Sequence, residues 1–172
     1  MRAPRSSYIA FTKFKKMCDT FRECPNNDIT SSASPTRAAL ATVQTYVEAA
    51  LMQILLIAAD NKRGRTLDEA EMTRAWAYAN HFLMREPAPQ SCATKMCTTT
   101  QMPKKLCVHA LKKERPTCRV TRGAIGVIAN MYKYITRAAL LAINNAVEAS
   151  TKKRVAPEVV DRVLKQLFSA RP

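Results

Sequence analysis

A chain of 172 residues with 47% hydrophobic side chains has room for one ordinary domain or two small ones, and enough apolar material for a core. Its 28 Lys and Arg against 13 Asp and Glu leave a formal charge of +15, and such an excess points to a polyanion, nucleic acid before an anionic membrane surface. Three glycines and two histidines supply phosphate-cradling loops and histidine chemistry poorly, so no enzyme, no catalytic residue and no cofactor is expected.

The N-terminus "MRAPRSSYIAF" lacks the hydrophobic region of a signal peptide. The most apolar run, "AALMQILLIAA", is short and interrupted by Gln53, so no membrane span and no membrane partner is expected. The first element is a short amphipathic helix from Tyr8 to Phe21 that carries Lys13, Lys15 and Lys16. Residues 36 to 61 follow as a long helix of about seven turns. Its stripe is Leu40, Val43, Val47, Leu51, Ile54, Leu55 and Ala58, with Ser34 as N-cap and Pro35 near the start. It ends in Asn61-Lys62-Arg63, and a short helix runs from Leu67 to Asn80.

Residues 85 to 105, "REPAPQSCATKMCTTTQMPKK", hold three prolines and four threonines without apolar periodicity. The chain divides into a first domain at 1–84, a linker at 85–103 and a second domain at 104–172. At roughly 3.3 Å per extended residue the linker spans tens of ångströms, enough for the halves to pack side by side. The second half repeats the order of the first. A short helix, Lys104 to Lys113, precedes a long one, 123 to 150, with Val127, Met131, Ile135, Ala138, Leu141 and Val147 as its stripe. After Lys152-Lys153-Arg154 comes a short helix from Pro157 to Phe168. Short, long, short occurs twice, a duplication of pattern with weak residue identity.

Six cysteines, Cys18, Cys24, Cys92, Cys97, Cys107 and Cys118, form no Cys-x-x-Cys pair and read as reduced thiols. A zinc site on Cys92, Cys97, Cys107 and His109 matches no common ligand spacing, so no metal is expected. Met52, Met72, Met84 and Met131 at helical spacing read as core filler. Trp76, Tyr78 and Tyr134 read as a seal between the halves or a contact with a neighbouring protein.

These residues resemble the histone fold. The second half is similar to histone 2A through Val108-His109, Arg119-Val120, Tyr134-Ile135-Thr136, Leu140, Asn145-Ala146, Arg154 and Pro157, and the alignment from Tyr134 to Pro157 needs no gap. The first half is similar to histone 2B through Ser7-Tyr8, the Lys13 to Lys16 segment, Ile29, Ser31, Ser32, Ala33, Asn61-Lys62-Arg63 and Thr66, with extra residues around Glu23 to Asp28 and near Gly64. The resemblance covers nearly all the chain except the linker. Such a fusion resembles the histone doublets of some giant DNA viruses, in a compact form with short tails.

What the resemblance implies is an all-α chain of two tandem histone folds in an intramolecular handshake, a pseudo-heterodimer. Physics favours the same pairing: one such unit cannot bury the stripe of its long helix alone, whereas two crossing antiparallel cover each other, and fusion keeps the partner at high effective concentration. The crossing then sets Arg63 or Arg65, with Thr66, beside Arg119, Arg122 and the loop around Thr117. It sets Arg154, Lys152 and Lys153 beside Ser31, Ser32 and Arg37, and the first helices add Lys13, Lys15, Lys16, Lys112 and Lys113. The resemblance implies that these residues wrap double-stranded DNA, with an arginine entering the minor groove at each loop pair and helix N-termini aimed at phosphates. It implies as partners a histone 4–histone 3-type doublet or tetramer and further copies of the chain in a nucleosome-like octamer, located in a virion, viral factory or host nucleus, or otherwise in nuclear chromatin. His109 matches a structural position.

Two departures from the family are visible. Lys133, Ala138, Leu141 and the stretch from Leu167 to Ser169 stand where histone 2A carries its acidic patch, so partners that grip that patch are not expected. Little chain follows the last helix, so contact with a histone 3/4 partner falls to the Trp76 to Met84 region and the last helix, and a particle less salt-resistant than a cellular nucleosome is expected. The alternative is a histone-fold pair acting like a transcription factor, which would show a base-sequence preference.

Overall fold

A computed structural model of the chain describes residues 10–23, 34–61, 64–83, 111–148 and 154–168. Six helices dominate these residues: α1 (Phe11–Glu23), α2 (Arg37–Asn61), α3 (Glu69–Leu83), α4 (Leu111–Glu114), α5 (Arg122–Glu148) and α6 (Pro157–Phe168). Four strands of two residues interrupt them: β1 (Ser34–Pro35), β2 (Thr66–Leu67), β3 (Arg119–Val120) and β4 (Arg154–Val155). The fold is all-α, and short-long-short recurs in each half, although only the last turn of the expected helix from Lys104 to Lys113 lies among the described residues.

One local arrangement is used four times: a two-residue strand, a single cap residue, then a helix. Thr36 Oγ1 accepts from the Ala39 N–H at 3.1 Å and Thr121 Oγ1 from the Ala124 N–H at 3.2 Å, which caps both long helices. Asp68 Oδ1 accepts from the Glu71 N–H at 2.8 Å and caps α3. Ala156 has no side-chain acceptor, and there Pro157 opens α6 at the one position where a missing N–H costs nothing. The expected cap at Ser34 is thus corrected to Thr36. Ser34 and Pro35 are drawn into a strand instead, because the Thr36 N–H bonds the Val155 carbonyl at 3.2 Å.

Both strand pairs are parallel and both join the two halves. Ser34 registers with Arg154 and Pro35 with Val155; Thr66 registers with Arg119 and Leu67 with Val120. The loop before each long helix therefore lies beside the loop after the other long helix. Between these two ends α2 packs on α3, α5 and α6, and α5 also packs on α3 and α6, so one hydrophobic cluster serves both halves. All seven expected stripe residues of α2 are buried, as are Val127, Met131, Ile135, Ala138 and Val147 of α5, with Leu141 partly so. Aromatic edges cross between the halves: Trp76 meets Tyr134 at 5.3 Å and Phe14 meets Tyr132 at 6.3 Å between ring centroids. Met72 and Met131 are core, Met52 packs partly buried at its margin, and Met84 lies outside the described residues.

The expectation that no stretch could span a membrane needs correction. By length and composition α2 passes, since an 18-residue window averages a hydropathy of 1.5 with few charges. Half of that window is buried inside the chain, and the buried set includes the polar Gln44 and Glu48, joined by a 3.2 Å hydrogen bond. The stripe side chains of α2, from Leu40 to Ala58, are consumed within the fold.

Candidate nucleic-acid interface

Charge gathers at the two loop pairs that join the halves, and the backbone there explains how. At the first end α2 stops where Asn61 Nδ2 donates to the Ile57 carbonyl at 2.9 Å. Gly64 then turns the chain at φ 87°, a conformation that favours glycine because a Cβ would clash with the backbone. The strand that follows is met by β3: the Arg119 N–H donates to the Arg65 carbonyl at 2.9 Å, and the Thr121 N–H to the Leu67 carbonyl at 3.1 Å. Arg65, Thr66, Arg119 and Arg122 are consequently brought together, and all four side chains are exposed. Arg122 is the first residue of α5, so it also stands at a helix N-terminus.

At the second end β1 and β4 place Arg154 opposite Ser34, with Arg37 two residues after Pro35 at the start of α2. Both arginines are exposed. The Arg37 guanidinium lies over the Phe11 ring, 5.0 Å from its centroid, which ties the start of α1 to this end. Along α1 the residues Phe14, Met17 and Cys18 face the core, and helical spacing turns Lys13, Lys15 and Lys16 outward. Lys112 and Lys113 are exposed on α4, whose Leu111 is buried. Of the other candidate residues, Ser31, Ser32, Lys62, Arg63, Lys152 and Lys153 lie outside the described residues, as do His109 and Cys92, Cys97 and Cys107.

The first end is not uniformly positive. Asp60, in the last turn of α2, accepts from Arg115 through both oxygens, Nε at 2.6 Å and Nη2 at 3.0 Å, and this carboxylate raises the guanidinium pKa further. Glu69 reaches over the first turn of α5, where a Cβ on Gly123 would come within 3.0 Å of its Oε2, so glycine permits that approach. Sequence reading missed Asp60 and Arg115, because residues 55 positions apart with ordinary surface character leave no periodic or compositional mark.

On the long helix of the second half, Lys133 is half-buried, and burial pushes its ammonium pKa down. Ala138 is buried and Leu141 half-buried. No acidic side chain stands at these positions. Among the described residues there is no group of His, Cys, Asp and Glu able to hold a metal ion, and Cys18 and Cys118 are buried and form no disulfide. Exposed guanidinium groups at two paired loops, with ammonium groups on α1 and α4, can donate hydrogen bonds to anionic oxygens. No protein-family model matches the sequence, and no curated protein matches it.

Proposed function

We infer that the chain is a structural DNA-packaging protein, a doublet of a histone 2B-like fold and a histone 2A-like fold joined in an intramolecular handshake. The observation that carries this reading is the crossed pairing of the loops, Ser34 with Arg154 and Thr66 with Arg119, which sets exposed arginines at both places where the two halves join. The charge of +15 supports a polyanionic partner. Arg65, Arg119 and Arg122 at one end and Arg37 and Arg154 at the other grip the phosphate backbone and the minor groove, with the lysines of α1 and α4 adding contacts along the path. Such contacts read no bases, so affinity comes from counterion release and from the deformability of the duplex. The chain performs no catalysis and needs no cofactor. Its partners are double-stranded DNA, a histone 4–histone 3-type pair that completes the particle, and further copies of itself; its place is a virion, a viral factory or a nucleus.

Nuclease protection tests this. The full chain, mixed with a histone 3/4-type pair and mixed-sequence DNA, should protect a discrete length, and changing Arg65, Arg119 and Arg154 to Ala should abolish it. A smear, or protection indifferent to the three changes, would reduce the activity to coating by a basic protein. Protection confined to particular base sequences would favour a transcription-factor-like role instead.

A further inference from the structure

Asp60 is out of place in a polyanion-binding surface. Only 13 of 172 residues are acidic, and this one stands a few residues from the loop that carries Arg65, where its charge weakens attraction to DNA. It is nevertheless held in a fork-on-fork contact with Arg115, both oxygens engaged and both side chains about half exposed, at 39% for Arg115 and 52% for Asp60. An exposed pair of this kind contributes little to stability, but the planar fork restricts orientation strongly.

The surrounding backbone indicates what is being oriented. Arg115 opens a tight turn, with Pro116 in its second position and the Cys118 N–H bonded to the Arg115 carbonyl at 3.0 Å, and this turn delivers the chain into Arg119 and Val120. Arg115 Nη1 also donates to the Glu114 carbonyl at 2.8 Å, which fixes the guanidinium from its own side. From Asp60 and from Arg115 the two segments run only a few residues before they meet again, where the Arg119 N–H bonds the Arg65 carbonyl. Two ties between the halves thus lie only a few residues apart on both segments.

We propose that the Asp60–Arg115 pair is a positioning clamp for this loop pair. It sets the angle at which β2 and β3 leave the helices, so that Arg65, Arg119 and Arg122 face one path, and Arg115 itself is withheld from phosphate. The clamp rests on the DNA-packaging reading above.

Asp60→Asn in the full chain gives a test in which the sign of the effect decides. Electrostatics alone predict tighter DNA binding, since a negative charge leaves a basic surface. The clamp predicts weaker binding, by roughly fivefold, the most such an exposed pair contributes. Protection should be lost at the β2–β3 contact and kept at the β1–β4 contact. Arg115→Lys, which keeps the charge and loses the fork, should match Asp60→Asn, while the double exchange Asp60→Arg with Arg115→Asp should restore protection. If Arg115 were instead a phosphate ligand, Arg115→Ala would lower the salt slope by about 0.9 and Asp60→Asn would bind more tightly, and that pattern overturns the clamp. Should Asp60→Asn fail to fold by circular dichroism, the charge-exchange variant carries the test, and a folded exchange variant without protection refutes the proposal. Loss of the underlying reading looks different: wild-type protein would give no discrete protection, or Arg65→Ala and Arg119→Ala would leave it unchanged.

Discussion

Replacing Tyr132 by Phe should make the protein more stable, although it removes a polar group from the middle of α5. The side chain has no exposed surface, and its ring stands edge-on to Phe14. Its hydroxyl is buried without a hydrogen-bond partner. Burial, then the nearby Glu48 carboxylate and Cys18, push its pKa above that of a free phenol, so the site favours the neutral O–H. A hydroxyl stripped of water and left unpaired costs about 1–3 kcal/mol. Tyr132→Phe recovers that cost, leaves the ring contact with Phe14 intact and opens a void of one oxygen atom. The net gain expected is about 1–2 kcal/mol, or roughly 2–4 °C of melting temperature for each kcal/mol in a chain of this size. Guanidinium unfolding followed by far-ultraviolet circular dichroism would read it as a higher midpoint with an unchanged slope. A loss of about 1 kcal/mol or more would refute the reasoning, since it would mean that the hydroxyl is satisfied in solution and belongs to a polar network with Gln44 and Glu48.

Three further outcomes are expected. The Tyr46 O–H donates to Asp161 between α2 and α6, and Lys165 pairs with the same carboxylate at 2.9 Å. The Tyr46 hydrogen bond, then Lys165, hold Asp161 below its ordinary value, so its stabilisation is complete above the ordinary carboxylate range and lost as pH falls through the depressed value. Burial and Asp161 push Tyr46 up to about 12, so its contribution is present below the ordinary value of 10.0 and lost as pH rises to about 12; in melting temperature against pH, Tyr46→Phe should flatten both limbs. Thr36→Ala and Thr121→Ala each remove a cap from a long helix and should cost about 0.5–2 kcal/mol in denaturant unfolding, with additive losses because the caps share no partner. Gly126 lies inside α5 with open space where a Cβ would stand, so Gly126→Ala should raise stability by about 0.5–1 kcal/mol, read from the thermal midpoint.

The sequence made the long helices legible because their stripes repeat at helical spacing, and the seven stripe residues of α2 are all buried. The bounds of α6 were legible at both ends, since Pro157 marks its first residue. The cap of α2 was not. Ser34, Pro35 and Thr36 offer two oxygens and a proline in succession, and the choice is made by Val155, a distant residue that takes the Thr36 N–H. Two-residue strands have no period to detect, so the register that gathers Arg65, Thr66, Arg119 and Arg122 came from resemblance and from the burial argument, while charge alone could name the arginines. The orphaned hydroxyl of Tyr132 was hidden for a similar reason: a tyrosine beside an apolar stripe looks the same whether or not its oxygen finds a partner.

The pairing of each loop with a loop from the other half also fixes when the chain can fold during its own synthesis. The long apolar helix α2 is complete long before the residues that cover it emerge, because Val155 is made roughly ninety residues after Leu67. At about 5–20 residues per second that delay is on the order of ten seconds. For that interval the stripe from Leu40 to Ala58 has only α1 and α3 to shield it, so the nascent chain is a natural client for a chaperone, and a ribosome stalled between residues 85 and 105 would hold an aggregation-prone half. Speeding translation through residues 85 to 105 should therefore raise the soluble yield without changing the folded protein.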